Sequence, residues 1–463
     1  MTPATASPGT GVARWLAFLG LAGCALVLWS ALCSVPGLYW NPPRLAPAYA
    51  LAAGLDIYAT RASAAHLGWH YGPVFPLWSL PAAFVPQITL SFIVWALLHL
   101  GALFLSAWLV LRRLGTPGLL SGAIAGVLFI GQAYTQSMLY LVHVDTLCVA
   151  FGFASAWLAH GALADARPRL LPWAALCAVL APWTKQLGVA VPLAVFLWLW
   201  WTGRRDLAGR FFFWCVVWGG VTGMLFFAVF GAENLAFNLW LIHARTPFRG
   251  GWTLLLPETG RLLLENWVWL AAFAAAWIFP TARESVPRTS LAALLWFLAL
   301  AHLPLGISAV LKEGGGWNSL HTQYYLLPLL AGLLVRVAAL PRGRLLLAAI
   351  FLASFMQAAW LLHRQGTVWT PYRGQEDFLA EARAQAGRVY FPWNPLLTII
   401  TERRVYPFDN ALFCLTQAGL EPRHETVRAT VPPSPLIIYH EPVQGHFALR
   451  YFPEKMNPAA RPR

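Results

Sequence analysis

Few side chains in this chain can take a proton or hold an anion, and they gather where apolar runs break. Asp56 is the one acid of the stretch 41–81, set between Gly54 and Tyr58. In that setting a carboxylate is either a solvated interfacial charge or a base for a hydroxyl proton. His143 and Asp145 stand two positions apart at the start of an apolar run. There Asp145 reads as a helix cap favoured by the helix dipole or, with His143, as a pair that orients a polar substrate or helps to hold a metal. Two ligands do not complete a metal set, so a metal stays unknown. Lys185 is one of three lysines among 32 basic residues and sits in Ala181-Pro182-Trp183-Thr184-Lys185-Gln186, between two apolar stretches. A lysine there snorkels to the interface or meets a phosphate as a compact point charge.

Two more basic sites follow. His243, Arg245 and Arg249 fall within 241–252, and Lys312 precedes Gly314-Gly315-Gly316, which leads through Trp317, Asn318, His321 and Tyr324 into another apolar run. The glycines are no P-loop, because they lack the Gly-Lys-Ser/Thr ending and follow no strand. They read as a flexible cover with Trp317, Asn318, His321 and Tyr324 at its rim. Trp317 suits stacking on a ring and packing on lipid equally.

The elements that must position these groups are membrane-crossing helices. Of 463 residues, 59% are hydrophobic and 11% charged, and the mean hydropathy is +0.59. Soluble proteins carry about 25% charged residues. Apolar runs of about 20 residues suit a ~30 Å hydrocarbon core. That excludes a soluble enzyme, a nucleic-acid-binding protein and a disordered chain, despite a net charge of +14. Hydropathy punctuated by Arg clusters gives about eleven spans: 14–35, 88–111, 119–138, 145–164, 170–184, 187–202, 211–231, 265–281, 289–309, 322–340 and 345–362.

Alternate connections hold eleven Arg against three acids, whereas the opposite ones hold seven basic residues against six acids. The positive-inside rule therefore puts the Arg turns and the N-terminus in the cytoplasm and the C-terminus outside. Ser34-Val35-Pro36 is a poor cleavage site, so the first span reads as a retained anchor. The long non-spanning stretches, 36–87, 232–264, 310–321 and 363–463, all fall outside. The chain thus divides into a transmembrane part, 1–362, and a C-terminal outer part, 363–463.

In the first outer loop, 36–87, Ala48–Ala53 reads as a short apolar turn and Arg61–Leu67 as an interfacial amphipathic helix. Tyr49, Tyr58, Trp69, Tyr71, Phe75 and Trp78 suit headgroup depth. The tail mixes β-type runs, 388–391 and 436–439, with Pro-rich breaks, which predicts a small α+β appendage. Cys24, Cys148, Cys177 and Cys215 lie inside apolar runs, and whether Cys33 and Cys414 pair is open.

Gly54-Leu55-Asp56-Ile57-Tyr58, followed by Tyr71-Gly72-Pro73-Val74-Phe75-Pro76-Leu77, resembles the first outer loop of GT-C glycosyltransferases. These are polytopic enzymes similar to protein O-mannosyltransferases and aminoarabinose transferases. Their usual Tyr-Pro-Pro appears here as Tyr71-Gly72-Pro73. An Asp at the start of a span (Asp145), the Thr184-Lys185-Gln186 turn, Tyr324 to Pro328, and tail segments 390–395 and 401–410 are similar too. Order and topology carry the likeness; no single motif does.

The resemblance implies an all-α polytopic membrane fold of the GT-C type in the bacterial inner membrane. It also implies a polyprenyl-phosphate sugar donor used on the outer face and a lipid, protein or glycan acceptor, with no nucleic acid involved. Asp56 would be the catalytic base, with Asp145 as a second catalytic carboxylate. Lys185, helped by Arg245, would meet the donor phosphate. His143, Tyr58, Tyr71, His243, Trp317, His321 and Tyr324 would surround the substrates. A divalent cation between Asp56 and Asp145 is left open. Two rivals share the topology. A transporter or lipid flippase places charges near the midplane and often carries repeats, neither of which this sequence shows. A glycan polymerase or ligase keeps its polar groups outside as well and differs only in taking a preassembled oligosaccharide.

Overall fold

The computed structural model describes residues 9–58, 65–115, 142–249, 287–329, 369–439 and 447–452, with isolated positions 60, 63, 253, 256, 352, 353 and 356. In chain order its main helices are α1 (Gly9–Ser34), α2 (Asn41–Ala52), α3 (Val74–Ala83), α4 (Ile88–Arg113) and α5 (Val144–Ala164). Next come α6 (Leu171–Thr184), α7 (Ala190–Trp201), α8 (Arg205–Phe230) and α9 (Leu291–Val310). The tail holds α10 (Gly374–Ala384), α11 (Pro395–Glu402), α12 (Asp409–Gln417) and α13 (His424–Thr430), with strands β1 (Val389–Tyr390) and β2 (Leu436–Ile437).

Among the described residues, four helices (α4, α5, α8 and α9) are long and apolar enough to cross a membrane. They fall on the expected spans 88–111, 145–164, 211–231 and 289–309. Spans 170–184 and 187–202 become the shorter α6 and α7, joined by a 3-10 turn, Gln186–Val189, and 14–35 falls on α1. Spans 119–138 and 265–281, and most of 322–340 and 345–362, lie outside the described residues.

Small side chains let these helices touch. Ala156, Ala159 and Ala162 of α5 share one core with Ala174, Ala175 and Ala178 of α6, the kind of face that packs helices in lipid. At the Arg-rich end, Arg113 pairs with Asp165 and donates to His160 Nδ1 at 2.8 Å. The outward face of α8 is apolar: Phe212, Phe213, Val216, Met224, Leu225 and Val229 are each more than half exposed. So continuous an apolar surface calls for lipid, not water, as its solvent.

The first loop departs from its expected form. Asn41–Ala52 is a twelve-residue helix, not a turn; Pro42 and Pro43 sit in its first turn, where no N–H is missed. A second helix, α3, starts after Pro73. Positions 65–67 of the expected amphipathic helix are irregular, and His66 and Leu67 are buried. Nor are the loop aromatics chiefly headgroup anchors. Tyr58, Trp69 and Phe75 are nearly inaccessible, at 2%, 3% and 0%, whereas Trp78 is exposed.

The tail packs against the loop. α11 shares a core with α2 through Leu396, Leu397 and Ile399 against Leu45, Ala46, Ala48 and Ala50. Phe408 N–H donates to the His66 carbonyl at 2.9 Å and Tyr372 N–H to that of Cys33 at 2.9 Å. Glu376 accepts from the Thr89 N–H at 3.2 Å and from its hydroxyl, so a tail carboxylate caps α4, whose own Gln87 makes no cap bond. The two β-type runs pair in parallel, Val389 opposite Leu436 and Tyr390 opposite Ile437. Cys33 and Cys414 are free thiols.

Candidate functional site

Four segments deliver polar groups to one buried point at the loop end of the helices. His143 and Asp145 open α5, Lys185 lies in the break between α6 and α7, Asn318 and Ser319 follow α9, and Tyr71 comes from the first loop. Lys185 Nζ donates to Asp145 Oδ1 at 2.6 Å and Oδ2 at 2.8 Å. Asn318 Nδ2 donates to Oδ2 at 2.8 Å, and His143 Nδ1 bonds the same oxygen. A carboxylate only accepts, so that nitrogen carries the proton, and its 3.4 Å approach to the Asp145 N–H is a contact rather than a cap bond.

His143, Asp145 and Lys185 are each 5% exposed. Taking a charge pair out of water is tolerable when charge-assisted hydrogen bonds surround it, as they do here. Burial holds the His143 imidazole down at about 3, with Arg44 pushing the same way and Asp145 opposing. It is therefore a neutral donor.

Backbone packing fixes the lysine. Its residue leaves α6 in extended conformation, and Gly188 folds the following turn onto α6, where a Cβ would lie 2.3 Å from the Ala181 carbonyl carbon. On the other side a Cβ on Gly72 would lie 1.7 Å from the Trp183 carbonyl oxygen. Three main chains thus meet around Lys185, and neither glycine has room for a side chain. Gly72→Ala should cost about 1–3 kcal/mol or more, as overpacking does. A melting curve of the purified variant reads this, and unchanged stability would mean that the loop and α6 are not in contact.

Several sequence candidates converge here and others do not. The Tyr71 ring centroid is 5.9 Å from Lys185 Nζ and its ring stands edge-on to His143 at 5.9 Å. Tyr58 is a strut, donating its hydroxyl to the Tyr71 carbonyl at 2.6 Å. His243 Nε2 donates to the His70 carbonyl at 3.1 Å, which also accepts from Gln186 Nε2 at 2.6 Å. Arg245 is exposed. Asp56 is exposed two residues before Tyr58, and no hydrogen bond or ion pair joins it to the buried group among the described residues. Trp317, His321 and Tyr324 lie in a 3-10 helix, Trp317–Leu326, but their side chains fall outside the described residues.

The glycine run is not a loose cover. Gly315 packs where a Cβ would meet the Ala309 carbonyl oxygen at 2.1 Å, and Glu313 N–H donates to the Pro247 carbonyl at 2.9 Å. Asn318, expected at a rim, is 7% exposed and part of the charge cluster. Ser319, 3.4 Å from Lys185 Nζ, was not singled out by sequence reasoning. The available signal is Gly306 inside apolar α9, where a Cβ would lie 2.7 Å from the Ser319 carbonyl oxygen. Among the described residues no three His, Cys, Asp or Glu side chains converge as a metal set.

Beside the site, burial lowers the pKa of His66 to about 4 and of His70 to about 3, and lowers that of His243 as well. A folded pKa below the unfolded value means that the unfolded chain binds more protons as pH falls. Stability is then full above about 6.5 and is lost by about 1.4 kcal/mol per pH unit per histidine on the way down. Melting temperatures should fall from about pH 6.5 downward, and His70→Phe should make the fall shallower. That variant keeps the ring shape, and both His70 nitrogens lack partners. An equal slope in wild type and variant would place the proton uptake elsewhere.

The chain matches no protein-family model, no curated protein and no solved structure.

Proposed function

We propose that the chain is a membrane-embedded glycosyltransferase of the GT-C type, taking one sugar from a polyprenyl-phosphate donor on the outer face of a bacterial inner membrane. The observation that supports it best is the buried Lys185–Asp145 pair, braced by His143 and Asn318 and flanked by Tyr71, beside a first loop that carries an exposed carboxylate. A transporter would spread charges along a path near the midplane, whereas this cluster sits at helix ends.

In this reading Lys185 meets the donor phosphate. Two of its contacts go to Asp145, and the third, to Ser319 Oγ, is long at 3.4 Å, so it is the bond a phosphate oxygen would displace. Asp145 has its oxygens committed to Lys185, Asn318 and His143, which makes it the residue that positions the lysine. Asp56 takes the proton of the acceptor hydroxyl. The acceptor oxygen bonds the anomeric carbon as the bond from that carbon to the phosphate oxygen breaks, and the electron pair leaves on the phosphate. A fixed cation in a water-poor site stabilises that developing charge without reorganising. Attack opposite the leaving group inverts the anomeric carbon.

The test is transfer from labelled polyprenyl-phosphate monosaccharides to endogenous acceptors in membranes that contain the protein. Transfer from one donor supports the reading. Transfer only from a preassembled lipid-linked oligosaccharide would make it a polymerase or ligase, and none from any donor would overturn it.

A further inference from the structure

The end of the helices opposite the charge cluster carries cations that the fold leaves unmatched. Among the described residues two acids stand at that end, and both are taken. Asp165 pairs with Arg113, and Asp206 accepts from Arg204 through two hydrogen bonds of 3.1 Å. Arg205 and Arg288 are exposed and have no ion pair among the described residues. Each rests on a tryptophan instead. Arg205 Cζ lies 5.0 Å from the centre of the Trp200 ring, and Arg288 Cζ lies 5.2 Å from that of Trp201, the two consecutive residues that close α7.

Local structure builds this corner. Arg204 N–H donates to the Leu199 carbonyl at 3.2 Å and Gly203 N–H to that of Trp200 at 3.1 Å. With Gly203 at φ +81°, this is a Schellman motif with its left-handed residue in place. The chain turns there and sets Arg205, at the head of α8, over Trp200. On the other side the buried Trp198 indole donates to the Arg288 carbonyl at 3.0 Å, which fixes the approach to α9. The Trp201 ring meets Phe297 of α9 at 5.4 Å.

An apolar stripe starts from the same corner. Val189, Leu193, Leu197 and Trp200 recur at helical spacing on one face of α7 and the turn before it, and each is 42–52% exposed. By helical rise the stripe is about 16 Å long, the depth of one leaflet of a ~30 Å hydrocarbon core. Cations held over aromatic rings at the head of such a stripe match a phosphate head group joined to an acyl chain. A soluble anion would account for the arginines but not for the stripe beneath them.

We propose that the end of α7 and the approaches to α8 and α9 form a binding site for an anionic glycerophospholipid, its head group held by Arg205 and Arg288 and an acyl chain lying along Val189 to Trp200. The site is independent of the transferase reading.

The experiment is native mass spectrometry of the full chain released from a neutral polyoxyethylene detergent, titrated with palmitoyl-oleoyl phosphatidylglycerol or with the matching phosphatidylcholine. Wild type should hold the phosphatidylglycerol more tightly. Arg205→Gln and Arg288→Gln should each weaken it about fivefold, the usual worth of one basic residue at an anionic lipid surface, and the two together about 25-fold. Arg205→Lys combined with Arg288→Lys keeps the charge and should keep most of the affinity, which distinguishes lost charge from a lost fold. Arg112 stands singly over Trp108 at 5.9 Å, and Arg112→Gln should leave the affinity unchanged. Equal retention of the two lipids would overturn the proposal, as would a lysine pair as weak as the glutamine pair. So would a loss in Arg112→Gln equal to that in Arg205→Gln, which marks diffuse surface charge. Displacement of the lipid by an equal concentration of glycerol phosphate would overturn it too, since that marks a site for a free anion.

Discussion

Asp56→Asn is expected to reduce transfer about 10²–10⁴-fold, the usual worth of a general base, with no change in thermal stability. Both halves follow from its position. The carboxylate is exposed and unpaired among the described residues, so an isosteric amide disturbs nothing that holds the fold, and surface changes of that kind stay within about 0.5 kcal/mol. Transfer from the preferred donor, measured in membranes at matched protein level, reads the first half and a melting curve the second. The contrast is Asp145→Asn, which should lower stability, because Lys185 then keeps a buried charge without a counter-charge. Full activity in Asp56→Asn would remove Asp56 from the chemistry while leaving the class of enzyme intact.

Lys185→Ala should cost about 3–5 kcal/mol in stability, since it leaves the Asp145 carboxylate buried without its ion-pair partner. Pairing Lys185→Met with Asp145→Leu should recover part of that, as apolar replacements do for buried ion pairs, and not all, because the leucine leaves the buried His143 and Asn318 donors without their acceptor. Transfer should stay reduced about 10²–10³-fold in the double variant, because the cation facing the phosphate is gone. Melting curves and donor transfer on the two single variants and the double variant separate the roles. A double variant that regains both stability and transfer would make the pair purely structural.

The positions of His143, Asp145 and Lys185 were legible because polar side chains in so apolar a chain stand out where helices break. Their partnership was not. Asp145 and Lys185 are 40 residues apart, and only the packing of α5 on α6 brings them into contact, so Asp145 read as a candidate acid rather than as the support of the lysine. Asn318 was misplaced at a rim because a glycine run suggests slack, when Gly315 is small in order to pack against a carbonyl. The aromatic loop misled for a related reason. Tyr and Trp suit a headgroup layer and a protein core alike, and only tertiary packing decides between them: Tyr58 meets Phe230 edge-on, and Trp69 stacks on Phe75, which packs on Trp95 and His99. The prolines of 42–47 concealed a helix: Pro42 and Pro43 sit in its first turn, but Pro47 lies inside it, where Pro reads as a breaker. In the tail, the strand-forming runs were visible from composition. Their parallel pairing was not, because three helices lie between the two strands.

The capping of α4 by Glu376 has a consequence for how the protein is made. Thr89 and Glu376 are separated by 287 residues, and ribosomes add about 5–20 residues per second. From the moment the start of α4 is made, roughly 15–60 s pass at that rate before its capping segment has been synthesised. Through that interval α2 and the bare start of α4 await partners still on the ribosome, open to proteases and to holding chaperones. Synthesis of the segment that carries Glu376, rather than insertion of the helices before it, is then the step that completes the start of α4. A stop codon anywhere upstream of 376 would yield a chain that is inserted but never sealed, one that quality control should remove as fast as it is made.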